Sequence, residues 1–123
     1  MKIKNGDFNY TKKERGKMNG TKLLNQYNSF LKENFGITEP LTNANKGMIK
    51  RFKDTFEQTY EFDFINFLED ITCNWKDYQK EFFSASGYPY PALKYIYGNI
   101  GTMAMIYSKR LNTKVDEKEV EEW

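Results

Sequence analysis

The sequence contains no histidine, a single cysteine and three prolines among its 123 residues. Without histidine the chain cannot build a Ser-His-Asp or Cys-His nucleophile system, nor a zinc site with histidine ligands. The lone Cys73 has no partner for an internal disulfide, which is typical of a reducing compartment. We therefore predict a cytoplasmic protein that is not an enzyme and uses no metal or other cofactor.

Long apolar runs are also missing from the chain. No stretch approaches the 18 consecutive apolar residues of a membrane span, and the polar first seven residues lack the apolar segment of a signal peptide. The hydrophobic fraction is 39%, but aromatic residues make up 17% of the chain. We therefore expect one domain that makes no membrane contact and whose interior is filled by few but large side chains.

Four segments have the periodicity of amphipathic helices, and no strand pattern competes with them. They are predicted to run from Thr21 to Asn34, from Asn43 to Thr59, from Phe64 to Phe82 and from Pro91 to Leu111. The predicted N-caps are Asn19 or Thr21, Thr42 and Asp63. Gly36 is predicted to end the first helix in the left-handed conformation, where a Cβ atom is penalised.

The last two helices are predicted to form the pair around which the core is organised. Their apolar stripes are Phe64, Leu68, Ile71, Trp75, Tyr78 and Phe82, then Leu93, Ile96, Ile100, Ala104, Tyr107 and Leu111. Gly98 and Gly101 leave room for a bulky neighbour, which we expect to be Trp75 or Tyr78. Asn112 and Thr113 are expected to end the last helix.

Together these patterns predict an all-α fold, a compact bundle of about four helices. Residues 1–20 are predicted to be a flexible basic arm, residues 21–111 the helical domain, and residues 112–123 an acidic tail. The net charge of +2 conceals this asymmetry between the two ends of the chain. Opposite charge at the two ends is typical of tails that interact with partners.

Two basic groups are the candidates for nucleic-acid contact. The arm carries Lys12, Lys13, Arg15 and Lys17, enough charge to neutralise several phosphates. Tyr10 is placed to stack on a base. On the second helix, the spacing of Lys46, Lys50 and Lys53 puts them on one face, which is expected to point outward. The alternative is that these lysines only keep the chain soluble.

Aromatic residues near the linker and the C-terminus are the candidates for protein contact. Tyr88 and Tyr90 lie on a stretch stiffened by prolines, and Trp123 ends the chain. Tyrosine is favoured at the centre of protein interfaces. The alternative is that Tyr88 or Tyr90 is tucked under the last helix. Cys73 is expected to be a packed or half-buried structural thiol, and the acidic residues match no metal-binding motif.

A layout of short motifs resembles the C-terminal helical module of DnaD-type primosome proteins and of replisome organisers from Gram-positive phages. Leu41-Thr42-Asn43 opens a helix, a Phe/Ile/Leu-rich helix ends near Trp75, and Tyr95-Ile96-Tyr97-Gly98-Asn99-Ile100 occupies the family's Tyr-Ile position. The likeness covers roughly residues 41–107. It implies a trimmed relative that contacts DNA or a helicase loader during replication of a phage or mobile element.

The first hypothesis is therefore a non-enzymatic accessory protein of DNA replication. Its partner would be DNA, possibly single-stranded, or a replication protein of the host or phage. The second hypothesis is a small phage protein that binds and blocks a host or defence complex. In that case the tyrosines of the linker, Trp123 or the acidic tail would make the contact.

Overall fold

All regular structure in the described part of the chain is helical. The computed structural model describes the backbone of residues 18–121 and the side chains of residues 18–112. Over that range the all-α prediction is confirmed. The elements are α1 (Gly20–Phe35), α2 (Asn43–Tyr60), α3 (Phe64–Cys73), α4 (Trp75–Glu81), a 3-10 turn (Phe83–Gly87), α5 (Leu93–Gly98) and α6 (Ile100–Glu121).

Helix ends are set by local side-chain and backbone chemistry, as predicted. The Asn19 side chain accepts the Lys22 N–H at 2.9 Å, and Thr42 Oγ1 accepts the Asn45 N–H at 3.1 Å. Such caps satisfy backbone donors that the first helical turn leaves without a partner. Gly36 ends α1 with φ of 73°, the left-handed conformation that favours glycine.

The connection from α1 to α2 folds back along α1. Asn28, in the middle of α1, donates to the Glu39 carbonyl at 3.0 Å and accepts the Glu39 N–H at 2.7 Å. The Glu39 carboxylate accepts the Leu93 N–H at 2.7 Å, which ties the same segment to the start of α5. The chain therefore returns toward the beginning of α1 before α2 starts.

Within residues 18–121 the predicted four helices become six, because two of them are interrupted by asparagine. Asn74 separates α3 from α4 and donates from its side chain to the Asp70 carbonyl at 3.1 Å. Asn99 separates α5 from α6 and donates to the Tyr95 carbonyl at 2.9 Å. A side chain that bonds the backbone four residues earlier competes with the helical ladder and lets the chain turn.

The final helix is longer than predicted. Asn112 and Thr113 do not end it, and its backbone continues to Glu121. Both residues have ordinary helical propensity, and no glycine or proline follows them to stop the helix.

Large aromatic side chains fill the interior, as the composition predicts. Phe52, Phe56, Phe64 and Phe67 are fully buried, and their ring centroids lie as close as 4.4 Å for Phe56 and Phe67. Such contacts contribute about 0.5–1.5 kcal/mol per pair beyond the burial of apolar area. They join α2 to α3, and Tyr107 of α6 closes the cluster at 5.5 Å from Phe67.

The small residues of the last helix have a different neighbour from the one predicted. A Cβ atom at Gly101 would lie 3.5 Å from the Tyr60 hydroxyl, whereas one at Gly98 would meet nothing within 4 Å. The expectation that Trp75 or Tyr78 fills this space is therefore wrong. Tyr60 reaches it because α2 ends beside the start of α6.

Gly20 is the glycine that the packing requires. A Cβ atom there would lie 2.9 Å from the carbonyl carbon of Lys46 and would overlap its oxygen. We expect Gly20→Ala to lower the free energy of unfolding by about 1–3 kcal/mol, because backbone must move to admit the methyl group. Urea unfolding followed by circular dichroism measures the change.

Gly98→Ala is the matched control, since space around Gly98 is open. It should be neutral or stabilise by up to about 1 kcal/mol, the gain in helix propensity. Equal effects of the two substitutions would contradict the proposed contact between α1 and α2.

Candidate functional site

The carboxylates near the junction of α2 and α3 serve the backbone and a lysine. Glu57 accepts Lys53 Nζ at 2.9 Å through one oxygen and the Phe64 N–H at 3.1 Å through the other. The Asp63 side chain caps α3 by accepting the Asn66 N–H at 2.9 Å, as predicted. Among the described residues, no group of three or more acidic or cysteine side chains is placed to hold a metal ion.

Cys73 is exposed, so the expectation of a packed or half-buried thiol is wrong. It lies at the end of α3 in an open cleft of about 330 Å³ that Asn34, Trp75 and Gln79 also line. Partial burial raises the pKa of the thiol, and neighbouring carboxylates raise it further. The hydrogen bond from Asn34 acts in the opposite direction and lowers the pKa. A raised pKa disfavours the thiolate, so Cys73 is not an activated nucleophile.

A charged network joins α3, α4 and α6. Arg110 donates to the Asp70 carboxylate from Nε at 2.7 Å and from Nη2 at 3.1 Å, and to Asp77 from Nη1 at 2.7 Å. The Tyr78 hydroxyl also donates to Asp70 at 2.7 Å, and the guanidinium lies 5.7 Å from the Tyr78 ring centroid. Each group meets a partner within the protein, which indicates a structural role.

The surroundings of Tyr78 and Arg110 shift the pKa of both groups upward. Burial raises the pKa of Tyr78 far above its ordinary value, and its hydrogen bond to Asp70 adds to the effect. The hydrogen bond to Asp70 also raises the pKa of Arg110. Tyr78 therefore stays a neutral donor and Arg110 stays charged, which suits a fixed connection between helices better than proton transfer.

The N-terminal turns of α1 and α2 meet at one corner of the molecule. Gly20, the first residue of α1, lies directly against the backbone of Lys46 in the first turns of α2. No acidic residue occupies the first turn of either helix. Two positive ends of helix dipoles are thus neighbours, with no carboxylate in those turns to offset them.

Three cations belong to this corner. Lys22 is exposed in the first turn of α1, and Lys46 is half-buried beside Gly20. The Arg51 guanidinium folds back toward the start of α2, where its Nη1 would lie 3.3 Å from a Cβ atom at Gly47. We name Lys22, Lys46 and Arg51 the basic corner. Arg51 was counted in the basic group of the second helix but, like Lys22, was not among the predicted site residues.

The predicted lysine face of α2 is only partly available. Lys50 is half-exposed but pairs with Asp54 at 3.3 Å. Lys53 is 4% exposed and bound to Glu57, so the expectation that it points outward is wrong. Position 53 falls on the inward stripe with Ile49, Phe52 and Phe56, and its ammonium group reaches Glu57 from there.

The predicted arm residues and Trp123 lie outside the described residues. The predicted arm residues are Tyr10, Lys12, Lys13, Arg15 and Lys17. The first described residue, Met18, is buried, and α1 begins two residues later at Gly20. The described part of the chain therefore begins beside the basic corner.

The linker tyrosines differ in their surroundings. Tyr90 is half-buried, with its ring 6.4 Å from that of Phe35 on α1. Tyr88 is 39% exposed and stacks on Tyr95 with centroids 3.9 Å apart. Phe82 stacks on Tyr95 at 6.4 Å, and Phe83 projects into solvent.

No family model matches the chain, and neither the curated proteins nor the solved structures include a match. The resemblance to DnaD-type proteins therefore stays a prediction. Over residues 18–121, no helix combines the length and the apolar character that crossing a bilayer requires.

Asp70→Asn tests the charged network. The substitution leaves Asp77 as the carboxylate partner of Arg110. The site is mostly buried, since the Asp70 side chain is 11% exposed. We expect the free energy of unfolding to fall by about 3 kcal/mol, the lower end of the cost of breaking a buried ion pair. Urea unfolding followed by tryptophan fluorescence measures it.

Lys109→Ala is the control, because the pair of Lys109 and Glu81 is exposed, with side-chain exposures of 58% and 46%. It should cost less than about 1 kcal/mol. If Asp70→Asn and Lys109→Ala lowered the free energy of unfolding equally, the Asp70 network would contribute no more to stability than an exposed ion pair.

Proposed function

We propose that the protein binds nucleic acid through the basic corner and the arm attached to it, as a non-enzymatic accessory protein. The observation that carries the proposal is the contact of Gly20 with Lys46, which brings two helix N-termini and their cations together. Backbone amides and cations at one place form a surface suited to phosphate.

The basic residues at the start of α2 favour a role in binding over a role in stabilising the helix. The first eleven residues of α2, from Asn43 to Lys53, contain four basic residues and no acidic one. Lys50 and Lys53 pair with Asp54 and Glu57, whereas Lys46 and Arg51, nearer the first turn or folded back toward it, make no ion pair with another side chain of residues 18–112. Cations near a helix N-terminus oppose the dipole, at a cost of about 0.3–1 kcal/mol for each exposed charge. A chain optimised only for stability would place carboxylates there, so the cations are better explained by an anionic partner.

The sequence that precedes α1 adds further basic residues to the proposal. It adds Lys12, Lys13, Arg15 and Lys17 within eight residues of Gly20, with Glu14 as the single acidic residue among them. Tyr10 supplies a ring that can stack on an unpaired base. The resemblance of residues 41–107 to replication modules suggests replication of a phage or mobile element as the setting.

Binding is tested with a fluorescently labelled oligonucleotide, in single-stranded and duplex form, over a series of salt concentrations. We expect affinity to fall linearly with salt on logarithmic axes, as counterions are released. Lys46→Ala combined with Arg51→Ala should weaken binding and reduce the slope by about two, one for each lost phosphate contact. Removal of residues 1–17 should reduce it further.

Lys32→Ala is the matched control. Lys32 is exposed in the last turn of α1, at the end of that helix remote from Gly20. It should leave affinity and slope unchanged. Absence of binding at low salt would refute the proposal, and so would an equal loss in the Lys32 variant.

A further inference from the structure

Gly47 lies inside α2, where glycine is an unfavourable residue. It destabilises a helix interior relative to alanine, because it loses more backbone freedom on folding. The backbone does not require it, since Gly36 is the one glycine among the described residues with a positive φ. Packing between helices does not require it either, since a Cβ atom at Gly47 would meet no atom of another described helix within 4 Å. The reason for this glycine therefore lies at the surface of α2.

The group that occupies the space beside Gly47 is the guanidinium of Arg51. Its Nη1 would lie 3.3 Å from a Cβ atom at position 47, which is tighter than most contacts that a Cβ atom makes. The two residues are one turn apart on the same face of α2. Side chains on a helix lean toward its N-terminus, so Arg51 is directed across Gly47 toward the start of α2. The missing side chain therefore leaves room for the guanidinium.

No partner in the described part of the protein explains the direction of Arg51. Asp54, three residues further along α2, is close enough in sequence to pair with it, but both of its oxygens accept Lys50 Nζ at 3.3 Å. Arg51 is exposed and makes no ion pair with another side chain of residues 18–112. A cation directed toward the positive end of a helix is unfavourable by itself. An anion bound there would interact favourably with the guanidinium and with the helix end.

We propose that Gly47 positions Arg51 to bind one phosphate of the nucleic-acid backbone through two parallel hydrogen bonds from the guanidinium. The inference rests on the proposed function and deepens it, because it names the chemical group that this part of the basic corner recognises. A guanidinium matches the geometry of phosphate oxygens, whereas an ammonium group acts as a point charge. Gly47 acts through the Arg51 side chain and is therefore a positioning residue.

The test fills the space beside Gly47. Gly47→Gln places an uncharged side chain of good helix propensity where the guanidinium lies. With the labelled oligonucleotide and the salt series, we expect affinity to fall and the slope against salt to decrease by about one, the loss of one phosphate contact. The urea midpoint of unfolding should stay equal or rise, because α2 loses a glycine. Opposite directions for binding and stability separate a positioning role from damage to the fold.

A double substitution shows whether Gly47 acts through Arg51. Arg51→Ala alone should lower the slope by about one. Adding Gly47→Gln to that variant should change neither affinity nor slope further, because the two residues act on one contact. Arg51→Lys should keep the slope but lower the affinity, since the ammonium group lacks the planar fork.

Gly98→Gln is the matched control, because it makes the same change at a glycine of α5 whose surroundings are open. It should leave affinity and slope as they are in the natural chain. If the natural chain bound the oligonucleotide and Gly47→Gln bound it equally well, the inference would be wrong and the proposed function would stand.

Two other outcomes would also overturn the inference. If Gly47→Gln weakened binding equally with and without the Arg51 side chain, position 47 would contact or obstruct the nucleic acid directly. If the natural chain did not bind the oligonucleotide at low salt, the proposed function would fail and the inference with it.

Discussion

The carboxylate of Asp70 is the point on which the second half of the fold depends. Each of its oxygens accepts two hydrogen bonds, one from Arg110 and one from Asn74 or Tyr78. These donors lie on α6, at the break after α3, and on α4. A chain that bends after Cys73 loses the stiffness of a continuous helix, and the Asp70 network restores a fixed angle between the two pieces. The four hydrogen-bond donors compensate for the desolvation free energy that the Asp70 carboxylate would lose if it were buried without partners.

The parts of the fold that were predictable are those decided within a few residues. Thr42 caps α2 and Gly36 ends α1 because capping needs only the local chain. Asn74 and Asn99 were not recognised as breaks. An asparagine beside an apolar stripe can remain helical, and whether it interrupts the helix depends on what the following segment packs against. At Asn74 that contact is with Arg110, 36 residues later in the sequence, through Asp70.

The candidate surfaces also depend on contacts that the sequence alone does not reveal. The sequence predicted Lys46 and the linker tyrosines as site residues, but it could not distinguish lysines with a carboxylate partner from lysines without one. Lys53 could have been recognised from its place on the inward stripe of α2, whereas the approach of Arg51 to Gly47 depends on a rotamer. Phe82 and Phe83 are identical in type and adjacent, and only the 3-10 turn decides that one is packed and the other exposed.

The two candidate surfaces are held apart by α1. The basic corner lies at its first residue, and the linker that carries Tyr88 and Tyr90 meets its last residue, Phe35. Sixteen helical residues span about 24 Å, at 1.5 Å per residue. Sites at that separation with no shared partner change binding independently, so substitutions at one should add to those at the other. If nucleic acid binds the basic corner as proposed, the linker at the other end of α1 stays accessible to a second partner, which is the arrangement that the proposed accessory role requires.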